Sequence, residues 1–265
     1  MYDLAIIIPA RNEEKRIERT LKTYLDYFNL IGKKEGMTFK IILVLNACSD
    51  RTYDIAKRHS GKSLEILNFK KGGKGFAVIR GFRQAIMDDA KIIGFVDADM
   101  ATKPEHFYDL VLNVNGYGGA IASRYMRSSK VYPKNTFARI TASRIYNAFI
   151  RAMLLIPYRD TQCGAKAFSR RSLMKVIDNI GMTQWAFDIE LVYRIRKEGF
   201  SIVECPTTWS SENYSTINFW KTGPWMALAV LRLRILYSPF KFIIRLYDKT
   251  LGKIHSIIMG GNTVK

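Results

Sequence analysis

The chain has 265 residues, 48% of them hydrophobic, and carries 42 Lys+Arg against 23 Asp+Glu, a formal net charge of +19. That length buries a substantial core in one large domain or one domain with an appendage, no repeat or low-complexity tract interrupts it, and the charge calls for a polyanionic partner: nucleic acid, anionic lipid or phosphorylated substrates. The three cysteines, Cys48, Cys163 and Cys205, are odd in number, far apart and without metal-ligand spacing, which points to structural thiols in a reducing compartment.

Short, β-branched, mostly apolar runs predict strands over Asp3–Ile8, Phe39–Leu45, Leu64–Phe69, Ile92–Val96 and Gly118–Ser123. Helices are predicted between them over Glu14–Phe28, Asp50–His59, Gly75–Asp89 and Pro104–Leu112. Strand followed by helix, repeated, means an α/β fold with a mostly parallel sheet covered on both faces. Ligands of such sheets sit at the carboxyl ends of the strands. The residues there are Pro9-Ala10-Arg11-Asn12-Glu13, Asn46-Ala47-Cys48-Ser49-Asp50, Lys70-Lys71-Gly72-Gly73-Lys74-Gly75 and Asp97-Ala98-Asp99, all polar or glycine-rich. Two carboxylates one residue apart at the mouth of a buried strand can reach one divalent cation, and a cation held there can bridge a diphosphate.

After Ser123 the alternation is expected to break down into a basic helix (Asn135–Leu155), a turn at Asp160-Thr161-Gln162-Cys163-Gly164, a helix (Trp185–Glu198), a short strand (Ser201–Cys205) and a basic tail. This divides the chain into a nucleotide-binding half (1–123), an acceptor half (124–218) and a C-terminal segment (219–265). No acid occurs from Leu110 to Arg159, and from Phe219 onward eight basic residues face only Asp248.

The N-terminus lacks a signal-peptide pattern. A membrane span needs about 20 apolar residues, and the longest plausible run, Trp225 to Leu231, is cut by Arg232 and Arg234. Phe240, Ile243, Ile244, Tyr247 and Leu251 share one face of a helix that begins at Ser238-Pro239, with Lys241, Arg245 and Lys249 on another. Such a helix either packs on the domain or lies on an anionic membrane surface. Nucleic acid is set aside as partner, because the aromatic residues form no stacking platform with the basic ones and no helix-turn-helix or related motif appears.

The strand-end residues, with Asp50-Arg51-Thr52, Gly73-Lys74-Gly75 and Gly81, Asp97-Ala98-Asp99-Met100-Ala101-Thr102, Ser123-Arg124-Tyr125, Asp160-Thr161-Gln162-Cys163-Gly164 and Trp185-Ala186-Phe187-Asp188-Ile189-Glu190-Leu191, together resemble the inverting family 2 glycosyltransferases. That family includes dolichyl-phosphate mannose synthase and dolichyl-phosphate glucosyltransferase, and the resemblance runs from Ile6 to about Ser215. It implies a GT-A fold, with a Rossmann-like half for a nucleotide-sugar donor and a second half for the acceptor. Carried over by motif, Pro9, Ala10, Asn12 and Glu13 line the base and ribose, Lys74 approaches the nucleotide, and Asp97 and Asp99 hold Mg²⁺ or Mn²⁺.

Three departures from the family pattern bear on function, one of them the stretch Trp209-Ser210-Ser211-Glu212-Asn213-Tyr214-Ser215-Thr216, which has no Lys where the family has Gly-x-Ser-Lys. Asn46 stands where relatives often have Asp, so it would accept a hydrogen bond from a base ring N–H as a neutral and weaker partner. Ala101 replaces the Gln that mannose synthases often add to the metal, a form that resembles the glucosyltransferase branch.

The resemblance also implies a polyprenyl (dolichyl-type) phosphate acceptor at the cytoplasmic face of a membrane, with the protein bound peripherally. Arg124 and Arg139 are the candidates for the acceptor phosphate, joined by Ser215, and Asp160 and Asp188 fall near the acceptor end, either as a base or as groups that orient the arginines. A lipid phosphate is already anionic and needs no catalytic base, whereas a saccharide or other hydroxyl acceptor would need Asp160 or Asp188 in that role. On the family prior alone GDP-mannose is preferred to UDP-glucose as donor. Oligomeric state is not legible.

Overall fold

The computed structural model describes residues 1–133, 137–181, 186–210, 219–240 and 242, the side chains of 137–139 and 219–222 excepted. The first half follows the predicted alternation: β1 (Tyr2–Ala10), α1 (Ile17–Glu35), β2 (Phe39–Asn46), α2 (Thr52–Lys57), β3 (Leu64–Phe69), α3 (Lys74–Met87), β4 (Ala90–Val96), α4 (Pro104–Asn113) and β5 (Gly119–Ser123). The second half contributes β6 (Lys130–Tyr132), α5 (Phe137–Leu154), β7 (Ala165–Ser169), α6 (Arg170–Val176), α7 (Phe187–Lys197), β8 (Ile202–Pro206), β9 (Thr208–Ser210) and α8 (Phe219–Leu236).

Seven strands form one sheet in the order β3-β2-β1-β4-β7-β5-β8. All run in one direction except β7, which is antiparallel to both β4 and β5. Both faces are covered, which is why β1 reads as a continuous apolar run rather than an alternating one. Leu4, Ile6 and Ile8 meet Tyr24, Phe28 and Phe107 on one side, and Ala5 and Ile7 meet Phe82 and Phe168 on the other. α1 stops at Gly36, whose φ of 69° supplies the left-handed cap and sends its N–H back to the Gly32 carbonyl. Gly81 lets α3 lie against β1: a Cβ there would come within 2.6 Å of the Ile7 side chain. That close seat fixes the start of α3 beside the strand ends where the site lies.

The second half departs from expectation in two places. The alternation does not simply break down after Ser123, because β7 returns to the centre of the sheet between β4 and β5, so the two halves share one sheet and one core. The Ala-Lys-Ala-Phe-Ser sequence of β7 hides this, since a lysine in a central strand argues against burial until its partners are known. A small sheet of β6 and β9 is tied to the end of β4 through a Ser210 N–H to Ala101 carbonyl bond of 2.8 Å, which brings Trp209 over the site.

The other departure concerns the C-terminal segment. Its first part is not a free amphipathic tail: α8 buries Met226, Val230 and Leu233 in the main core, and the Tyr146 hydroxyl of α5 donates to the Met226 carbonyl at 3.2 Å. No helix among the described residues is long and apolar enough to cross a membrane. The predicted helix from Phe240 to Leu251 lies outside the described residues except for Phe240 and Phe242, whose exposed rings sit beside each other.

Candidate active site

The carboxyl ends of β2, β1 and β4 are neighbours, and each is followed by a non-glycine residue in the left-handed region: Ala47 (φ 55°), Asn12 (φ 56°) and Met100 (φ 59°). Such conformations cost on the order of 1–3 kcal/mol each and persist only where the surroundings enforce them. Here the turns are tied to one another. Asn12 Oδ1 accepts from Ser49 N–H at 2.8 Å, Thr52 Oγ1 from Glu13 N–H at 2.8 Å and Asp50 Oδ2 from Glu14 N–H at 3.1 Å.

Asn46 differs from its expected use. It is buried, donates to the Ala10 carbonyl at 2.9 Å and accepts from Gly73 N–H at 3.1 Å. Its amide therefore joins the ends of β1, β2 and the loop into α3. The missing negative charge now has a structural sense, because an Asp has no N–H to give the Ala10 carbonyl.

Three carboxylates gather beside these turns. Asp99 accepts from Ala101 N–H at 3.0 Å; burial first, and then the charge of Asp97, raise its pKa. Glu13 is raised mainly by burial, with the nearby Asp99 adding to it against the pull of Arg16, which it binds through both oxygens at 2.7 and 2.9 Å. Asp97 is paired at 2.6 Å with Lys74, whose pKa is raised because its carboxylate neighbours outweigh the burial that favours the neutral amine.

Crowded carboxylates with mutual repulsion are what a divalent cation relieves. Asp97 and Asp99 supply hard oxygen donors suited to Mg²⁺ or Mn²⁺, and no set of three or more His, Cys, Asp or Glu poised for a metal occurs among the described residues. The residues thus fit a cation that takes its remaining ligands from diphosphate and water.

Gly164 packs directly on Asp97. A Cβ there would lie 2.6 Å from Asp97 Cγ and collide with Oδ2, so Gly164→Ala must push the carboxylate aside. We expect this variant to stay folded but to lose at least about tenfold in transfer, with calorimetry showing weaker nucleotide binding only when metal is present. Equal metal-dependent affinity in both proteins would refute it.

Arg124 and Asp160 form a two-point ion pair, Nε to Oδ2 at 2.7 Å and Nη2 to Oδ1 at 2.9 Å, reinforced by the Arg124 N–H at 3.0 Å. The guanidinium also faces the rings of Trp209 and Tyr125. Asp160 is wholly buried, and the N–H groups of Arg159 and Asp160 donate to Glu204 Oε1 at 2.8 and 3.1 Å. Arg124 is therefore not an unpaired cation waiting for an anion; the pair presents only the rest of its guanidinium edge.

Asp188 is likewise committed, to a lysine that sequence reasoning missed. Lys166 is wholly buried and donates to Asp188 Oδ1 at 2.6 Å and to the Cys163 carbonyl at 2.5 Å. The signal was its place two residues after the Gly164 turn, inside an otherwise small and apolar strand. Burial would raise both Asp160 and Asp188, but Arg124 in one case and Lys166 with Lys74 in the other prevail and lower their pKa values. Burial pushes the thiols of Cys163 and Cys205 up to about 11, in keeping with structural thiols. The Arg139 side chain and Ser215 lie outside the described residues.

The sequence model described as "Glycosyl transferase family 2" matches residues 5–177. The chain belongs to that family. Among family relatives, AglD of Haloferax volcanii is 28% identical over 236 residues, 87% of this chain but 36% of AglD, so the chain spans well under half of that protein. A dolichyl-phosphate beta-glucosyltransferase from Dictyostelium discoideum is 27% identical over 246 residues, 88% of this chain and 74% of the relative. The human enzyme of the same name is 27% identical over 256 residues, 90% and 77% respectively.

Glucosyl-3-phosphoglycerate synthase from Mycobacterium tuberculosis, solved with Mn²⁺, UDP and glucosyl-3-phosphoglycerate, superposes with a TM-score of 0.62 at 17% identity, over 89% of this chain and 79% of that one. This family 2 glycosyltransferase thus has the expected GT-A fold, with Asp97 and Asp99 just past β4 at the mouth of its sheet.

Proposed function

We propose that the protein transfers glucose from UDP-glucose to a polyprenyl phosphate of the dolichyl type, with inversion and with a divalent cation held by Asp97 and Asp99. The observation that carries the acceptor class is the state of Asp160 and Asp188. Each is buried and fastened to a cation that lowers its pKa, and a carboxylate so stabilised in its ionised form is a poor acceptor for an alcohol proton. A phosphate nucleophile arrives already deprotonated and asks only for placement.

The donor preference moves from GDP-mannose to UDP-glucose. Support comes from the glucosyl transfer named for the Dictyostelium and human relatives, from UDP in the mycobacterial structure and from Ala101 in place of the mannose-synthase Gln.

Within this reading, Pro9, Ala10, Asn12 and Glu13 bound the base and ribose, and Lys74 stands at the diphosphate. The cation, when bound, supplies Lewis-acid stabilisation of the departing diphosphate. The Arg124–Asp160 pair, backed by Trp209, shapes the acceptor end, where the edge of the guanidinium orients the incoming phosphate. Access to a lipid acceptor comes from peripheral attachment at the cytoplasmic membrane face, supported by the exposed Phe240 and Phe242 after α8 and the basic residues that follow.

The test is a panel of labelled UDP-glucose, UDP-galactose and GDP-mannose offered with polyprenyl phosphate or with the matching polyprenol, following label into organic solvent. Label from UDP-glucose that needs both the lipid phosphate and metal is expected. Equal transfer to the free alcohol, lost in Asp188→Asn although fold and donor affinity are intact, would overturn the phosphate acceptor in favour of a base-catalysed reaction.

A further inference from the structure

Lys74 reaches carboxylates from two separate parts of the chain. Its Nζ lies 2.6 Å from Asp97 Oδ1 at the end of β4 and 4.0 Å from Asp188 Oδ2 at the start of α7. The two seats are not alike. Asp97 is one of the two carboxylates assigned above to the cation, and a dication on that carboxylate would repel the ammonium held 2.6 Å from its Oδ1. Asp188 has its other oxygen, Oδ1, pinned by Lys166, which is itself anchored on the Cys163 carbonyl. Asp188 is thereby kept from swinging to Lys74 and presents Oδ2 at a fixed place, a little beyond contact.

We propose that Lys74 has two seats: it covers Asp97 in the free enzyme and moves to Asp188 Oδ2 when the divalent cation and diphosphate enter, with Lys166 as the positioning residue that holds the second seat open. The inference rests on the metal reading given under Proposed function. The movement is short, from a 4.0 Å separation to ordinary ion-pair contact of about 2.8 Å, and the start of α3 need not shift. It makes cation and nucleotide interdependent. A cation alone must drive the ammonium off Asp97, whereas a cation arriving with a diphosphate brings negative charge that offsets its repulsion of the Lys74 ammonium as it takes its seat on Asp188. It also links donor loading to α7 and the Gly164 turn, the elements that border the acceptor.

The experiment is Mn²⁺ binding to the full chain, read as loss of the free-ion electron paramagnetic resonance signal, with and without UDP. Without UDP, Lys74→Met and Lys74→Gln are expected to bind Mn²⁺ about tenfold more tightly than the parent, the effect of removing a competing charge from a partly solvated carboxylate. Lys74→Arg, which keeps the charge, should stay weak. UDP should tighten Mn²⁺ binding in the parent by a larger factor than in Lys74→Met. Asp188→Asn should weaken Mn²⁺ binding in the parent and have little effect in the Lys74→Met background, because the second seat matters only to the lysine.

If both neutral Lys74 variants bind Mn²⁺ no more tightly than the parent, while Asp97→Asn still abolishes binding, the two-seat proposal is overturned and the metal reading stands. If Asp97→Asn and Asp99→Asn leave Mn²⁺ binding unchanged, the metal reading fails and the proposal with it.

Discussion

Asp99→Ala is expected to lower transfer by about 10²–10³-fold, the loss of a few kcal/mol of stabilisation at the departing diphosphate. Asp99 lies in the turn after β4 beside Asp97, its Oδ1 is oriented by the Ala101 N–H, and burial with the Asp97 charge holds its carboxyl above the usual pKa. Removing it leaves Asp97 alone, and Asp97 already carries Lys74. Initial rates at saturating Mn²⁺, together with calorimetric titration of UDP in metal and in chelator, check this. Equal UDP affinity under the two conditions in the parent protein would remove both carboxylates from the reaction.

The same perturbation fixes a pH dependence. A raised pKa means that protons compete for Asp99 at higher pH than for an ordinary carboxylate. Metal-dependent UDP affinity should therefore weaken as pH falls toward the acid side, before ordinary surface carboxylates titrate, and the metal-independent part should not follow it.

Much of the rim at the strand ends was legible because it is local. Each strand of the first half runs directly into its polar turn, so a period of alternating elements and a rule about carboxyl ends suffice to place Asn12, Asn46, Lys74 and Asp97 on one rim. What these residues do there was not legible, because it depends on partners far away in sequence. Asn46 looks like a base reader, and its structural use, an amide that joins Ala10 and Gly73, shows only in the fold. Arg124 and Asp160 stand 36 residues apart, and nothing in either motif says which arginine the carboxylate meets.

Lys166 is the clearest case. In sequence it is an anomaly within a strand, and only the return of β7 between β4 and β5 shows that Asp188 and a backbone carbonyl receive its charge. The fate of the basic tail also depended on tertiary packing: nothing in Phe219–Leu236 distinguishes a helix for the core from a helix for a membrane until Met226, Val230 and Leu233 are found against α5.

Asp160→Ala is expected to destabilise the fold by about 3–5 kcal/mol, because it strands the Arg124 guanidinium without the carboxylate that meets it at two nitrogens. In thermal unfolding the change should appear as a fall on the order of 10 °C. Truncating both partners removes the orphan charge as well, so Arg124→Met combined with Asp160→Ala should recover part of that loss.

The pair also predicts how stability varies with acid. The folded-state pKa of Asp160 is lowered, so its contribution is fully present above the ordinary carboxylate value of about 4 and is lost as pH falls through the lower folded value. Asp160→Asn should flatten that acid limb while keeping much of the packing. It also separates the two roles available to this carboxylate. If Asp160 only organises Arg124, the Asn variant should retain transfer to polyprenyl phosphate at a reduced rate with no change in the ionisations that govern it. A variant that folds and binds donor normally, yet loses all transfer together with one limb of the pH–rate profile, would make Asp160 a base and the acceptor a hydroxyl.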